Sequence, residues 1–138
     1  MQSAVLNATD VRNNWSSFID DVVRKGPQFL KRNRDELTTI STEHLKIALQ
    51  SFTFRVEFLP EDDGSVTAVL DNFDIVENGA TEEEALEAVA EELAEYALEY
   101  LENFNLYFNS PNRRSHFFYV LNVLIQDDLE GVRNLIHA

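Results

Sequence analysis

Seven residues in the first third of the chain have the chemistry to meet a nucleic acid. Arg12, Asn13, Asn14 and Ser16 stand in the run TDVRNNWSS, and Lys31, Arg32 and Arg34 in FLKRNRD. A guanidinium is a planar fork that reaches two acceptors on a guanine edge, and a carboxamide does the same for adenine. Cations gathered at a turn meet phosphates, which fix register without reading sequence. The same residue types also cover ordinary solvated faces, so the elements that carry them matter.

A second set points to a different ligand. Glu83, Glu87, Glu91, Glu95 and Glu99 recur every fourth residue with no lysine between them, which on a helix makes one acidic stripe. Each like-charged neighbour pair costs about 0.2–0.5 kcal/mol. Burying the opposite side of such a helix returns about 1.5–3 kcal/mol per large apolar side chain, so the helix forms in spite of the repulsion. A basic protein laid along the stripe would relieve that repulsion and associate faster through steering.

The elements that must position these residues follow from pattern. Residues 1 to 6 are compatible with an edge strand, and Thr9 is placed to cap a helix with Asp10 in its first turn. Val11, Trp15, Phe18, Ile19 and Val22 recur at helical spacing and predict one apolar face. Gly26 and Pro27 stop that helix. QFLKRNRDELTTIS then reads as two short strands around a turn at Asn33 to Asp35, and Ser41 caps a second short helix.

Beyond residue 50 the pattern changes. Phe52, Phe54, Val56 and Phe58 alternate with Thr53, Arg55 and Glu57, as in a half-buried strand. Asp63-Gly64 predicts a hairpin turn, SVTAVL the returning strand, and FDIVE a third, with Asn78-Gly79 as the next turn. Thr81 and Glu84 form a capping box that opens a helix to about Asn103. Leu86, Val89, Leu93, Ala97, Tyr100 and Phe104 are its expected core stripe. Ser110-Pro111 is read as the start of a helix through HFFYVLNVLI. Asp127 and Glu130 are read as a capping box for a terminal helix.

The fold class is therefore α+β in two domains, 1–50 and 51–138, and charge divides at the same place. The first fifty residues hold seven Lys/Arg and six Asp/Glu, net +1, and the remainder holds four and nineteen, net −15. Such asymmetry suggests separate partners for the two halves. With no cysteine there is no disulfide framework or thiolate metal site. No basic-then-apolar leader and no run of about 20 apolar residues is present, so a cytoplasmic protein without membrane contact is expected.

The order strand, amphipathic helix, hairpin, short helix, with VLNATDVRNNWSSFIDDVV, GPQFLKRN and TTISTEHLKIAL, resembles the Phd/YefM family of antitoxins. The resemblance implies a β-α-β-β-α domain that dimerises and binds a palindromic operator, repressing its own operon. Arg12 and Arg32 match the family's basic DNA contacts, and Asn14 and Ser16 fall close to DNA. Trp15 stands where a small aliphatic residue is usual. The stretch from FRVEFLPEDDG through GATEEEALEAVAEELAEYALEYLEN resembles the HicB antitoxin module. That likeness implies a three-stranded antiparallel sheet with a long helix, part of a ribonuclease H fold, here followed by a helical tail. Together they imply an antitoxin that neutralises a basic, RNA-targeting toxin.

Two other readings compete. In one, the N-terminal fold only dimerises and the chain is an interaction scaffold. In the other, Asp71, Asp74 and Glu77 supply metal carboxylates for a ribonuclease H-like nuclease. Against the second, Asp71 and Asp74 flank a turn. Glu61 to Gly64 lacks the spacing of a calcium loop, and His44, His116 and His137 are scattered without ligand spacing. No catalytic residue, metal or cofactor is expected.

Overall fold

In the computed structural model, which describes residues 4–138, the chain divides into two units, Met1–Ala48 and Leu49–Ala138. The first contains β1 (Val5–Asn7), α1 (Ala8–Asn13), α2 (Trp15–Lys25), β2 (Gln28–Arg32), β3 (Asp35–Thr39) and α3 (Thr42–Ala48). Its sheet has the order β1-β2-β3, with β1 parallel and β3 antiparallel to β2. The part of the expected first strand before residue 4 lies outside the described residues.

The first helix is two helices. Asn14, at φ −127° and ψ 42°, separates them. Its backbone N–H reaches the carbonyls of Asp10 and Val11, and its side-chain amide donates to Asp10 O at 3.0 Å. Asn14 makes this joint because its short amide competes with the backbone for helical hydrogen bonds. The cap is also corrected. Asn7, not Thr9, caps α1, its Oδ1 accepting from the Thr9 N–H at 2.8 Å. Gly26 ends α2 at φ 102°, where a side chain would be strained. Val11, Phe18 and Val22 are buried with Leu30 against them, but Trp15 stays 59 % exposed and Ile19 is also exposed. Ser41 caps α3 as expected, accepting from the His44 N–H at 3.2 Å.

The second unit holds β4 (Phe54–Pro60), β5 (Val66–Leu70), β6 (Ile75–Gly79), α4 (Glu82–Glu102), α5 (Phe104–Phe108), α6 (Phe117–Leu124), α7 (Leu129–Arg133) and β7 (Ile136–His137), with a 3₁₀ turn at Arg114–His116. The expected three-stranded antiparallel sheet is present but has a fourth member. The order is β6-β5-β4-β7, and β7 pairs with β4 in parallel. Phe54 and Val56 point inward from β4, and α4 lays Ala85, Val89, Ala90, Leu93, Ala97 and Tyr100 on the core. Helices α6 and α7 pack on α4, closing a two-layer α+β core.

Several turns differ from expectation. Asn78 and Gly79 belong to β6, paired with Thr67 and Val66. Gly79 is required there because a Cβ would run into the backbone N of Ala85. Thr81 caps α4, accepting from the Glu84 N–H at 3.1 Å, and the Glu84 carboxylate takes the Ala80 N–H at 3.0 Å. Ser110 does not cap a helix. Its hydroxyl donates back to Leu106 O at 2.7 Å, and residues 111–113 form a turn before α6. The last cap is Asp128 rather than Asp127, accepting from the Gly131 N–H at 2.8 Å. The terminal helix stops at Arg133, and the chain returns to the sheet. Among the described residues, no helix is long and apolar enough to cross a membrane.

Candidate nucleic-acid interface and partner surface

The first unit places its seven polar candidates on three elements. Arg12 and Asn13 close α1, Asn14 is the joint and Ser16 lies in the first turn of α2. All four are exposed. The Asn14 amide donates to Asp10 O, so its hydrogens are only partly free for a ligand. Lys31 and Arg32 end β2, and Arg34 occupies the two-residue turn whose first member, Asn33, sits at φ 55°.

The hairpin cations are brought to the start of α1. Arg32 and Arg34 share a shallow cleft with Ala8, Leu30, Asp35 and Glu36. Arg12, four residues beyond Ala8 in the same short helix, is about 6 Å further along its axis, from a rise of roughly 1.5 Å per residue. Arg32 is held by Asp35 at 3.2 Å, with both side chains exposed, and Lys31 faces Glu36 across the hairpin register. A phosphate at this cleft would compete with those carboxylates.

The second unit spends its acidic stripe unevenly. Arg133 on α7 pairs with Glu83 at 2.5 Å and Glu87 at 3.1 Å, spanning fifty residues of sequence to Glu83. Hydrogen bonding with the Glu99 carboxylate pushes the Tyr107 hydroxyl above its ordinary range. Glu91 and Glu95 are exposed and carry no such partner in the described ion pairs. Replacing Arg133 by Met therefore lowers the melting temperature slightly at low salt. The loss shrinks toward zero near 1 M salt, where screening acts within about 3 Å, and a thermal melt at both ionic strengths checks this.

Beside this stripe lies a polar pocket that pattern reading did not foresee. Asp74, Glu92, Glu95, Glu99, Tyr96, Tyr107, Arg113 and His116 line it. The Arg113 guanidinium lies 4.5 Å from the Tyr107 ring centroid and 5.5 Å from that of Tyr96. His116 bonds Tyr96 Oη through Nδ1 at 2.7 Å and Asn72 O through Nε2 at 2.9 Å, and stacks on Phe73. The carbonyl of Asn72 can only accept, so Nε2 carries the proton and Nδ1 accepts from the tyrosine. Asn72 and Asp74 hold the turn at φ 70° and 53°.

Burial keeps His116 neutral by lowering its pKa. The Arg113 charge adds to that, while the Asn72 carbonyl and Asp74 oppose it. The unfolded chain therefore takes up this proton first as pH falls. Stability is fully present above the ordinary histidine pKa of about 6.5 and is lost as pH falls through the lower folded value. Chemical denaturation at pH 7.5 and pH 5 is expected to show a loss on acidification that is smaller in His116→Asn. The histidine's two long-range partners lie 20 and 44 residues away, so local pattern carried no signal for it.

Asp71, Asp74 and Glu77 do not converge on a metal site: among the described residues no three His, Asp or Glu side chains are grouped to hold an ion. Asp71 instead lies in a neighbouring cleft with Arg55, Asn112 and His116.

What these surfaces belong to is shown by likeness along the whole chain. Residues 1–138 match the PHD_like family, described as antitoxin of toxin-antitoxin, RelE / RelB, TA system. No curated protein is significantly similar. A crystal structure from Syntrophomonas wolfei subsp. wolfei at 1.80 Å, described as an antitoxin part of a proposed toxin/antitoxin system, shares 40% identity over 97% of each chain, with a TM-score of 0.91. At that identity and coverage the likeness extends through both units. A chain matched from end to end in this way, with a near-neutral first unit and a strongly acidic second one, belongs to the PHD_like family of antitoxins of toxin–antitoxin systems.

Proposed function

We propose that this antitoxin works through two surfaces: a Phd/YefM-like first unit that binds operator DNA as a homodimer, and a HicB-like second unit that neutralises a basic toxin. The observation that carries this reading is the placement of charge. Unit 1 exposes Arg12, Asn13, Asn14, Ser16, Lys31, Arg32 and Arg34 around α1 and the hairpin. The second unit carries the stripe of Glu83, Glu87, Glu91, Glu95 and Glu99, all exposed except the half-buried Glu87. Guanidinium and amide groups read base edges while hairpin cations hold phosphates. Two copies related by a twofold axis would read half-sites of a palindrome about one helical turn apart.

Toxin neutralisation is steric: the second unit covers the toxin's RNA-facing surface. The net charge of −15 on that half would repel DNA within a screening length of about 8 Å. A bound basic toxin cancels part of this, so it strengthens operator binding. The test measures growth rescue when the chain is co-expressed with the toxin of its own operon. It also measures anisotropy of labelled upstream DNA across a salt series, with and without that toxin. Rescue together with salt-dependent operator binding that the toxin tightens is the expected outcome. Rescue without binding above that to random DNA would leave unit 1 as a dimerisation scaffold.

A further inference from the structure

Helix α4 is apolar on two sides. Its core side carries Val89, Leu93, Ala97 and Tyr100, all almost fully buried. Away from it, Leu98 and Leu101 remain 55 % and 56 % exposed. They are three residues apart and therefore neighbours on one face, with the half-buried Ala94 four residues before Leu98. Glu91, Glu95 and Glu102 lie beside them on the exposed surface of the helix. An isolated solvated helix gains nothing from leucines here.

Among the described residues, no ion pair holds the charge around this strip. Among the described residues of the second unit, Arg133 is spent on Glu83 and Glu87, Arg113 lies over Tyr96 and Tyr107, and Arg114 lies over Phe108. Arg55 stands on β4, within the sheet. Glu91, Glu95 and Glu102 thus border an apolar strip that runs about 10 Å along the axis, from the roughly 1.5 Å rise per residue.

We infer that Ala94, Leu98 and Leu101, bordered by Glu91, Glu95 and Glu102, form the seat on which the toxin lays a cationic amphipathic helix. The inference rests on the antitoxin reading above and narrows it from the whole acidic stripe to its C-terminal half. The partner's apolar side chains cover the two leucines, and its Lys or Arg residues meet the three glutamates on the flank. This is the pattern of helix recognition by an apolar seat with charged borders. A second copy of this chain fits poorly. A twofold contact sets identical patches face to face, so it would bring six carboxylates together with no cation between them. The apolar centre supplies most of the affinity and the acidic border the association rate.

The test titrates the full-length antitoxin with the purified toxin of its own operon and follows binding by calorimetry and stopped-flow. Leu98→Asp/Leu101→Asp is expected to raise Kd at least about a hundredfold, since two large apolar contacts are lost. Both leucines are more than half exposed, and an unchanged thermal melt will show that the variant folds. Glu91→Lys/Glu95→Lys is a second variant that leaves the apolar strip intact. It is expected to slow association about tenfold at low salt and to flatten its salt dependence. Val76→Asp, on the exposed side of β6, is the control and leaves Kd unchanged. Wild-type Kd in both double variants overturns the inference. Loss of a self-associated form in Leu98→Asp/Leu101→Asp with toxin binding intact also overturns it, and assigns the strip to a contact between copies. If the unmodified chain fails to bind the toxin, the antitoxin reading fails first and the inference falls with it, an outcome distinguishable because it appears without any substitution.

Discussion

Replacing Arg12 and Arg32 together by Ala is expected to weaken binding to the chain's own operator at least about a hundredfold at 0.1 M salt. The two guanidinium groups stand at the end of α1 and at the end of β2, both exposed. A good bidentate contact to a base is worth about 1–3 kcal/mol, and two such losses compound if both arginines reach base edges. If Arg32 meets only phosphate, its single replacement lowers affinity for all DNA alike and reduces the salt slope by about one. Asp35→Asn supplies the opposite sign. It frees Arg32 from its 3.2 Å partner and removes one negative charge, so operator affinity is expected to rise several-fold, more at low salt than at high. Anisotropy against upstream and random DNA reads all three variants. An Arg12→Ala/Arg32→Ala protein that binds as tightly as the wild type would show that the first unit does not read DNA through these residues.

The largest expected effect on stability is at Asn122. It is 2 % exposed, and its amide donates to Leu49 O at 3.1 Å and Phe52 O at 2.9 Å. One side chain on α6 thereby satisfies two carbonyls of the segment that leads into β4. Asn122→Ala leaves Phe52 O without this donor and Leu49 O with only the Phe52 N–H at 2.9 Å, and a buried unsatisfied group costs about 1–3 kcal/mol. Asn122→Asp is worse at neutral pH, because an ionised carboxylate cannot donate and would face two carbonyl oxygens. Burial and those oxygens raise the folded pKa of the introduced carboxyl above its unfolded value near 3.9. The folded state then binds the extra proton, so the substitution costs least below about pH 4 and the penalty grows as pH rises. Urea unfolding of Asn122→Asp and Asn122→Ala at pH 4 and pH 7.5 is expected to bring the two variants closer together at the lower pH. Equal midpoints for Asn122→Ala and the parent protein would mean that the carbonyls find water instead.

Much of the local chemistry was legible where the deciding partner lay within one helical turn or one strand repeat, although the caps at Asn7 and Asp128 were not. The alternation of Phe54, Val56 and Phe58, the Ser41 cap and the Thr81–Glu84 box each place a group beside another within about four residues. The core stripe of α4 follows from the same periodicity. The break at Asn14 was local too, yet hydrophobic spacing alone hid it. Val11, Phe18 and Val22 stay in phase across the joint and bury together, while the Asn14 amide and backbone N–H settle on carbonyls at the end of α1.

By itself the sequence determined the α+β content, the amphipathic helices, the hairpins and the charge asymmetry between the two halves. These rest on residue type and short spacing. Only the tertiary structure decided that Ile136 joins Phe54 in the sheet, that Arg133 takes Glu83 and Glu87, and that Asn122 holds Leu49 and Phe52. It also decided which glutamates of α4, among the described residues, carry no ion pair beside the exposed leucines. Such pairings span more than forty residues, and many chain segments carry groups able to make them. The path of the backbone selects among those groups, and that path is set by the packing of the whole core rather than by any stretch of sequence.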